Sequence, residues 1–474
     1  MVGICSYGAY VPLYRLTREE MGKLEGKMAG PGERSVAGFD EDGLTMAVAA
    51  AKDCMSGVDV QATDGLLFAS TTSPFAEKQM ASMVASVIGV GNGAFTMDCA
   101  NSLRAGTSAM KLAVDAIKNG SKRVLVTAAD CRLGKPLSML EQNLGDGAGA
   151  LLLGDSDVAV SIEGFHSVSS EFIDLWRPAG DRFVHSWQDR FAVVGGYQPI
   201  GKKAIAEAMK KFGLEAKDFA KVIISGPDAR SISGLATSLG FDAKAQLQNP
   251  LFNMMGNTGT AFPLMLLVAA LEEAKPGDKI LLASYGDGVD VFLLQVNEGI
   301  EKLRSLRGIG SYLKSKRALP SYAKYLRLRH LFPAEGSRFT DIIVSLSQVW
   351  RERASLMKLH ASKCNQCGFV EFPIRRICAK CHSKDDYAEV NLTDQKVTLY
   401  SFSTDSNPMM PECTDPPVGR AVVDFDGGAR MEVEMVDYGA IEDLKVGMPM
   451  EMTFRRYERQ GDVPAYSWKC TPVR

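Results

Sequence analysis

An internal repeat constrains this chain more than any other feature. SLRAGTSAMKLAVDAIKNGSKRVLVTAAD in the first half and MMGNTGTAFPLMLLVAALEEAKPGDKILLASYGD in the second each contain a turn, a Gly-Thr pair, a helical pattern, a charged turn and an apolar strand. Gly106-Thr107 and Gly259-Thr260 lie 153 residues apart, and the same offset relates Thr72, after GLLFAS, to Ser225, after KVIIS. Repetition of one supersecondary unit predicts a duplicated domain.

Helical patterns alternate with short apolar runs from about residue 40 to residue 297. LTMAVAAAKDCM precedes DGLLFAS, TSAMKLAVDAIKNG precedes RVLVTAAD, and AFPLMLLVAALEEA precedes KILLASYG. A helix of period 3.6 followed by a short run of buried-strand type is typical of α/β proteins. We therefore predict one α/β domain over residues 1–297.

The composition changes after residue 297. Residues 301–330 contain nine Lys or Arg and one acid, Glu301. This stretch is either a solvated helical connector or a surface facing the phosphates of a polyanionic cofactor. VSLSQVWRERASLMKLH then predicts an amphipathic helix, so residues 298–356 are assigned as a basic helical linker.

Four cysteines form two CxxC pairs in CNQCGFVEFPIRRICAKCHSKD, namely Cys364, Cys367, Cys378 and Cys381. Two such knuckles supply the four thiolates of a tetrahedral zinc site, and a site filled by four protein ligands is structural rather than catalytic. We predict a zinc ribbon over residues 357–387. The alternating segments KVTLYSFST, GRAVVDFDGG, ARMEVEMVDY and MEMTFRRYE predict a small antiparallel barrel over residues 388–474.

Composition limits the partners. The 474 residues carry 54 Lys plus Arg against 56 Asp plus Glu, a net charge of −2, which disfavours nucleic acid as a partner. The N-terminal residues lack the pattern of a signal peptide, and no apolar run is long enough to cross a bilayer. We therefore expect a cytoplasmic protein without a membrane partner.

Several motifs identify a family. FTMDCANSLRAGTSAM, LGDGAGALLLGD, GNTGTAFPL and LLASYGDGVDVFLL together resemble the thiolase superfamily, in its 3-hydroxy-3-methylglutaryl-CoA synthase and ketoacyl-ACP synthase III branch. The resemblance covers residues 1–297 and implies a duplicated αβαβα fold. Residues 350–474 resemble the rubredoxin-like zinc ribbon and OB-fold module of many enzymes that act on acyl-CoA. Together they imply a coenzyme A thioester substrate, and a homodimer or higher oligomer that buries the strand containing MDCANSL.

The family's catalytic positions are mostly replaced. Counting from Asp98 and back from Thr107 places the family's nucleophilic cysteine at Leu103. The synthase-type glutamate falls at Thr72 and the family histidine at Ser225, whereas Asn257 keeps the family pattern. Cys99 precedes Leu103 by four residues, a displacement of roughly 13 Å in an extended segment, so it does not take the place of the nucleophile.

Aldol chemistry needs no covalent intermediate, only a base for the hydroxyl proton and donors that stabilise a thioester enolate. The resemblance extends to thiolase-like steroid side-chain aldolases, which lack the cysteine. Our candidates for catalysis are Asn257 as enolate donor, with Asp287, Tyr285, His185 and Ser225. Our candidates for the substrate pocket are Thr72, Leu103, Arg104 and Asp228, although Asp228 also fits as the cap of the next helix.

The sequence leaves three functions open. The first is aldol addition or retro-aldol cleavage of a β-hydroxyacyl-CoA by a carbon-carbon lyase. The second is a condensing acyltransferase of the 3-hydroxy-3-methylglutaryl-CoA synthase type. The third is a non-catalytic CoA-binding subunit that partners a thiolase.

Overall fold

The computed structural model describes residues 1–26, 28, 30–332, 345–406, 415–460 and 463–474. It divides into two units, one formed by Met1–Gly38, Asp42–Ala85 and Val90–Leu326, and the other by Phe39–Glu41, Ser86–Gly89 and Arg327–Arg474. The four-part domain division stays a prediction. Among the described residues, no helix is long and apolar enough to span a membrane.

Strands and helices alternate through the first 330 residues. The strands are β1 (Gly3–Tyr10), β2 (Tyr14–Thr17), β3 (Glu33–Val36), β4 (Gly65–Ser70), β5 (Phe95–Ala100), β6 (Arg123–Cys131), β7 (Asp146–Gly154), β8 (Val160–Ser169), β9 (Leu175–Trp176), β10 (His185–Ser186), β11 (Lys221–Ile224), β12 (Lys279–Tyr285), β13 (Gly288–Val296) and β14 (Arg317–Ala318). The helices are α1 (Arg18–Glu25), α2 (Gly43–Cys54), α3 (Met80–Ile88), α4 (Ala105–Lys118), α5 (Met139–Asn143), α6 (Asp189–Phe191), α7 (Gln198–Phe212), α8 (Ala229–Ser238), α9 (Phe262–Glu273), α10 (Gly310–Lys314) and α11 (Tyr322–Leu328).

The central sheet shows the duplication. Its nine strands have the order β11-β12-β13-β8-β1-β7-β6-β4-β5. In the first half, β4 pairs in parallel with β5 and β6, and the antiparallel pairs β6-β7 and β7-β1 follow. In the second half, β11 is parallel to β12 and bridges Leu247, and the antiparallel pairs β12-β13 and β13-β8 follow. The predicted repeat is therefore confirmed, with the two halves joined through β1 and β8.

The predicted apolar helices form α2, α4 and α9. Asp42 caps α2 through a reciprocal capping box with Thr45. Helix α9 has Pro263 in its first turn and is buried from Phe262 to Val268 on every side, as expected of a helix with no polar face. A Cβ on Gly106 would lie 2.5 Å from the carbonyl oxygen of Thr260, so glycine there lets the two repeats approach closely.

Two side chains of the basic stretch, residues 301–330, make structural contacts with other segments of the chain. Arg304 donates to the carbonyl groups of Leu271 and Glu272 at the end of α9, at 3.0 and 2.7 Å. Lys316 pairs with Glu33 at 2.5 Å. These contacts favour the connector over the phosphate-facing surface, because the side chains are already used as structural donors.

The C-terminal residues form a small sheet and a barrel. The elements are α12 (Leu346–Arg351), α13 (Arg353–Leu356), β15 (His360–Cys364), β16 (Val370–Glu371), β17 (Tyr387–Asn391), β18 (Val397–Asp405), β19 (Val418–Phe425), β20 (Arg430–Met435), β21 (Pro449–Gln460) and β22 (Val463–Pro472). The barrel β18-β19-β20-β22-β21 is closed, and the four predicted segments form its strands β18 to β21 with antiparallel pairs. The fifth strand, β22, was not predicted, and it pairs in parallel with β20. The single helix predicted from residue 344 is wrong over the described residues, because two short helices form and the second ends at Leu356. Leu359, with φ of +54°, turns the chain into β15. Residue 344 itself lies outside the described residues.

The four predicted cysteines converge beside the sheet β16-β15-β17. All four sulfur atoms lie within 4.8 Å of one another. The Cys364–Cys381 and Cys367–Cys378 Sγ distances are 3.5 and 3.6 Å, near the roughly 3.8 Å expected for sulfurs about 2.3 Å from one tetrahedral zinc ion. The hydroxyl of Ser383, 3.1 Å from the sulfur of Cys364, lowers the pKa of that thiol. The cluster is consistent with a zinc ribbon.

Candidate active site

A pocket lies where the two repeats meet. It encloses about 350 Å³ of empty space, part of it open to solvent. Its lining comes from the β5-α4 turn, from β9, from the segment after β11, from the loop that leads into α9, and from the end of β12. The lining residues are Leu103, Leu175, Ser225, Gly226, Pro227, Asn257, Gly259, Phe262 and Tyr285.

Leu103 lies at the position where the resemblance placed a nucleophilic cysteine. A Cβ on Gly286 would lie 3.0 Å from the Cβ of Leu103 and 2.8 Å from the backbone nitrogen of Arg104, so the turn after β12 packs directly on this residue. The described lining of the pocket contains no cysteine, histidine or carboxylate. A hydrocarbon side chain therefore lines the pocket at the position that the resemblance assigned to the nucleophile.

Asn257 is held in one orientation. Its side-chain oxygen accepts from Arg132 Nη2 and from the backbone N–H of Gly259, both at 2.9 Å, and its amide nitrogen donates to the carbonyl of Gly226 at 3.1 Å. Since donors occupy the oxygen, the amide can offer only its second N–H to a ligand. Arg132 is 3% exposed, and burial lowers its pKa. Arg132 was not predicted from the sequence.

Ser225 and Tyr285 lie together in the second repeat. Ser225 is buried, and its hydroxyl oxygen accepts the backbone N–H of Tyr285 at 2.9 Å. The Tyr285 hydroxyl donates to Asp174 Oδ2 at 2.8 Å, and burial raises the pKa of Tyr285 and that of Asp174. Asp174 was also missed, because nothing in the local sequence FIDLW indicates a partner on β12.

Two predicted pocket residues make structural contacts instead of lining the pocket. Thr72 donates to the buried carboxylate of Asp130 at 2.8 Å. Arg104 pairs with Asp290 at 3.1 Å and donates to Ser167 at 3.0 Å, so its charge is used between α4 and the β8-β13 pair.

Three further candidates lie outside the described lining. Asp228 is the N-cap of α8 and accepts the backbone N–H of Ser231 at 2.8 Å, which is the alternative role that the sequence allowed. Asp287 is exposed on the β12-β13 turn with φ of +48°. His185 contacts the carboxylate of Asp181 at 2.7 Å and stacks on Trp176, with ring centroids 5.9 Å apart.

The chain is similar to one family model and to several known proteins. The sequence model of the family described as ChsH2, C-terminal OB-fold domain, matches residues 391–455. The chain is similar to the hydroxymethylglutaryl-CoA synthase of Archaeoglobus fulgidus, with 31% identity over 346 residues that cover 70% of this chain and 100% of the relative. The synthase of Methanosarcina mazei is 32% identical over 341 residues, covering 69% and 97% of the two chains.

Two solved structures superpose on this chain. A hydroxymethylglutaryl-CoA synthase complexed with CoA superposes with a TM-score of 0.64 at 22% identity, over 73% of this chain and 94% of that structure. The 3-oxoacyl-[acyl-carrier-protein] synthase III of Aquifex aeolicus gives 0.55 at 22% identity, over 62% and 100%. The predicted thiolase-like fold is therefore confirmed, and the chain belongs to the hydroxymethylglutaryl-CoA synthase family.

Proposed function

We propose that the protein makes or breaks a carbon-carbon bond of an acyl-CoA without an acyl-cysteine intermediate. Relatives named for hydroxymethylglutaryl-CoA synthesis support a condensing enzyme that acts on acyl-CoA. We infer the absence of an acyl-cysteine intermediate from Leu103, which lines the pocket and whose hydrocarbon side chain cannot accept an acyl group. The reaction is aldol addition, or the reverse cleavage of a β-hydroxyacyl-CoA.

The remaining polar groups suit this chemistry. The free N–H of Asn257 stabilises the thioester enolate oxygen, because a donor fixed in advance needs no reorganisation as negative charge develops. Ser225 keeps its hydroxyl proton for a polar substrate group, since its oxygen already accepts from Tyr285. Tyr285 contacts the β-hydroxyl group. His185 and Asp287 stay candidate bases from the sequence, but their positions give them no support.

The pocket favours an uncharged acyl group. Four of the nine lining residues, Leu103, Leu175, Pro227 and Phe262, have hydrocarbon side chains, and the described lining contains no lysine, arginine or histidine. Burying a carboxylate there without a directly contacting cation would be costly. A β-hydroxyacyl-CoA with an aliphatic acyl group fits this lining.

Two alternatives remain. A synthase-type condensing reaction is supported by the names of the relatives, and it requires an acyl group on one cysteine. A non-catalytic CoA-binding subunit that partners a thiolase is supported by the replacements at Leu103, Thr72 and Ser225. It predicts CoA binding without turnover, and co-purification with a thiolase.

The aldol function predicts cleavage of 3-hydroxy-3-methylbutanoyl-CoA to acetone and acetyl-CoA, measured by mass spectrometry of the released thioester. We expect Asn257→Ala to lower kcat by about 100- to 1000-fold, because it removes the enolate donor. Asn253→Ala, an exposed asparagine in the same loop, is the matched control and keeps wild-type turnover. No cleavage of this thioester or of 3-hydroxy-3-methylglutaryl-CoA by the wild type, and no condensation in reverse, would contradict the function.

We further propose that the four cysteines bind one structural zinc ion. The distances between the sulfur atoms and the presence of four thiol ligands support this proposal. A zinc ion with four protein ligands stabilises the fold and has no open position for catalysis. Elemental analysis of purified protein should find about one zinc per chain. Cys381→Ser should lose the zinc and Cys99→Ser should retain it. Zinc-free protein from zinc-supplemented cells would overturn this assignment.

A homodimer is proposed through strand β5. This strand ends the sheet, and Phe95 and Met97 on it are 37% and 44% exposed. An exposed apolar edge strand is a ready surface for another strand. We expect sedimentation equilibrium to show a dimer that Met97→Asp converts to a monomer, with Met139→Asp, at a more exposed methionine outside β5, as the control that stays dimeric. A monomeric wild type, or a dimeric Met97→Asp variant, would exclude this interface. Higher oligomers, a cytoplasmic location and the absence of nucleic-acid and membrane partners stay predictions.

A further inference from the structure

The wall of the pocket contains a tyrosine-carboxylate pair that joins distant segments. Tyr285 ends β12 and lines the pocket, as does Leu175 of β9. Asp174 directly precedes Leu175, and its Oδ2 accepts the Tyr285 hydroxyl at 2.8 Å. The pair therefore lies at the boundary of the pocket.

Both members are fixed from several sides. The second carboxylate oxygen of Asp174 accepts the backbone N–H of Leu175 at 2.7 Å. The ring of Tyr197 meets the Tyr285 ring edge-on, with centroids 5.1 Å apart, and Ser225 holds the backbone of Tyr285. Since Tyr285 gives its single proton to Asp174, its oxygen can only accept from a ligand.

The environment raises the proton affinity of both groups, so the phenol gives up its proton only while it receives one from the substrate hydroxyl. Burial raises the pKa of Asp174, which makes its carboxylate a stronger proton acceptor than an exposed aspartate. Burial and the charge of Asp174 raise the pKa of Tyr285, so the phenol stays protonated at neutral pH. The negative charge of Asp287 raises the pKa of both groups further.

We propose that Tyr285 and Asp174 form the proton-transfer pair for the β-hydroxyl group of the substrate. The inference rests on the proposed aldol function and adds a residue that neither the sequence nor the family motifs had indicated. Tyr285 is the catalytic residue, because it touches the hydroxyl. Asp174 is a positioning residue that acts through Tyr285.

The cleavage step begins with two coupled proton transfers. The hydroxyl proton passes to Tyr285 while the phenolic proton passes to Asp174. The electron pair of the O–H bond forms the new carbonyl, and the pair of the broken Cα–Cβ bond becomes the enolate held by Asn257. The enolate carbon takes a proton from water, and the resulting hydroxide takes back the proton held by Asp174.

Binding tests the pair without requiring turnover. Calorimetry compares the thioether S-(3-hydroxy-3-methylbutyl)-CoA, which has no carbonyl group to form an enolate and is therefore not cleaved, with S-(3-methylbutyl)-CoA, which lacks the hydroxyl group. We expect the hydroxyl to increase wild-type affinity about tenfold, the size of one good hydrogen bond, and Tyr285→Phe to abolish this increase. Tyr312 donates to Asp53 at 2.7 Å outside the described lining, so Tyr312→Phe is the matched control and keeps the increase. A wild type without the preference, or a Tyr285→Phe variant that retains it, would overturn the proposal.

Kinetics separate proton transfer from simple positioning. Asp174→Asn can still accept the hydrogen bond of Tyr285 but cannot take its proton, so we expect kcat to fall about 100-fold or more with little change in KM. Asp53→Asn should leave both constants unchanged. Wild-type kcat in Asp174→Asn would reject the pair and leave the aldol function standing. A different pair of results would reject the aldol function and keep the hydroxyl contact. In that case Tyr285→Phe loses the hydroxyl-dependent binding, but the wild type cleaves no thioester.

Discussion

One buried carboxylate joins the two repeats at the level of the pocket. Asp130, at 0% exposure, accepts from the hydroxyls of Ser70, Thr71 and Thr72 at the end of β4, at 2.8 to 3.0 Å. Its other oxygen accepts the backbone N–H of Thr260 at 2.8 Å, where α9 begins. A charge buried this deeply is tolerated only when its oxygens are satisfied by donors, so the strand ends and the start of α9 are held in one arrangement.

The geometry of the pocket follows from that arrangement. A Cβ on Gly259 would lie 2.2 Å from Asp130 Oδ2, so only glycine lets the loop before α9 approach the carboxylate. The backbone N–H of Gly259 in turn fixes the side chain of Asn257. The Asn257 amide, which we propose as the enolate donor, is therefore positioned by the segment whose contact with Asp130 joins the two repeats. The neighbouring Leu103 offers no nucleophile. The family fold is retained, and the noncovalent chemistry that we propose depends on this pocket.

Features that depend on nearby residues were predictable. The repeat, the apolar helices α2, α4 and α9, the barrel strands and the four clustered cysteines follow from periodicity or fixed spacing, and the structure confirms them. Within the candidate site, Leu103, Ser225, Asn257 and Tyr285, which were named from the resemblance, line one pocket, and their roles stay predictions. Asp174 and Arg132 could not be found in this way, because their partners lie 111 and 125 residues away in the chain. For Arg104 and Asp228, spacing indicated the neighbourhood but not the direction of the side chain. Arg104 pairs with Asp290, 186 residues away in the chain, and Asp228 caps the helix that directly follows it.

The proposed mechanism carries no acyl group on sulfur. Incubation of the wild-type protein with acetyl-CoA, followed by intact mass and peptide mass spectrometry, tests it most directly. We expect the protein to bind the CoA thioester and to contain no acetylated cysteine. One cysteine that carries acetyl stoichiometrically would contradict the noncovalent mechanism and assign the protein to the synthase-type reaction of its relatives.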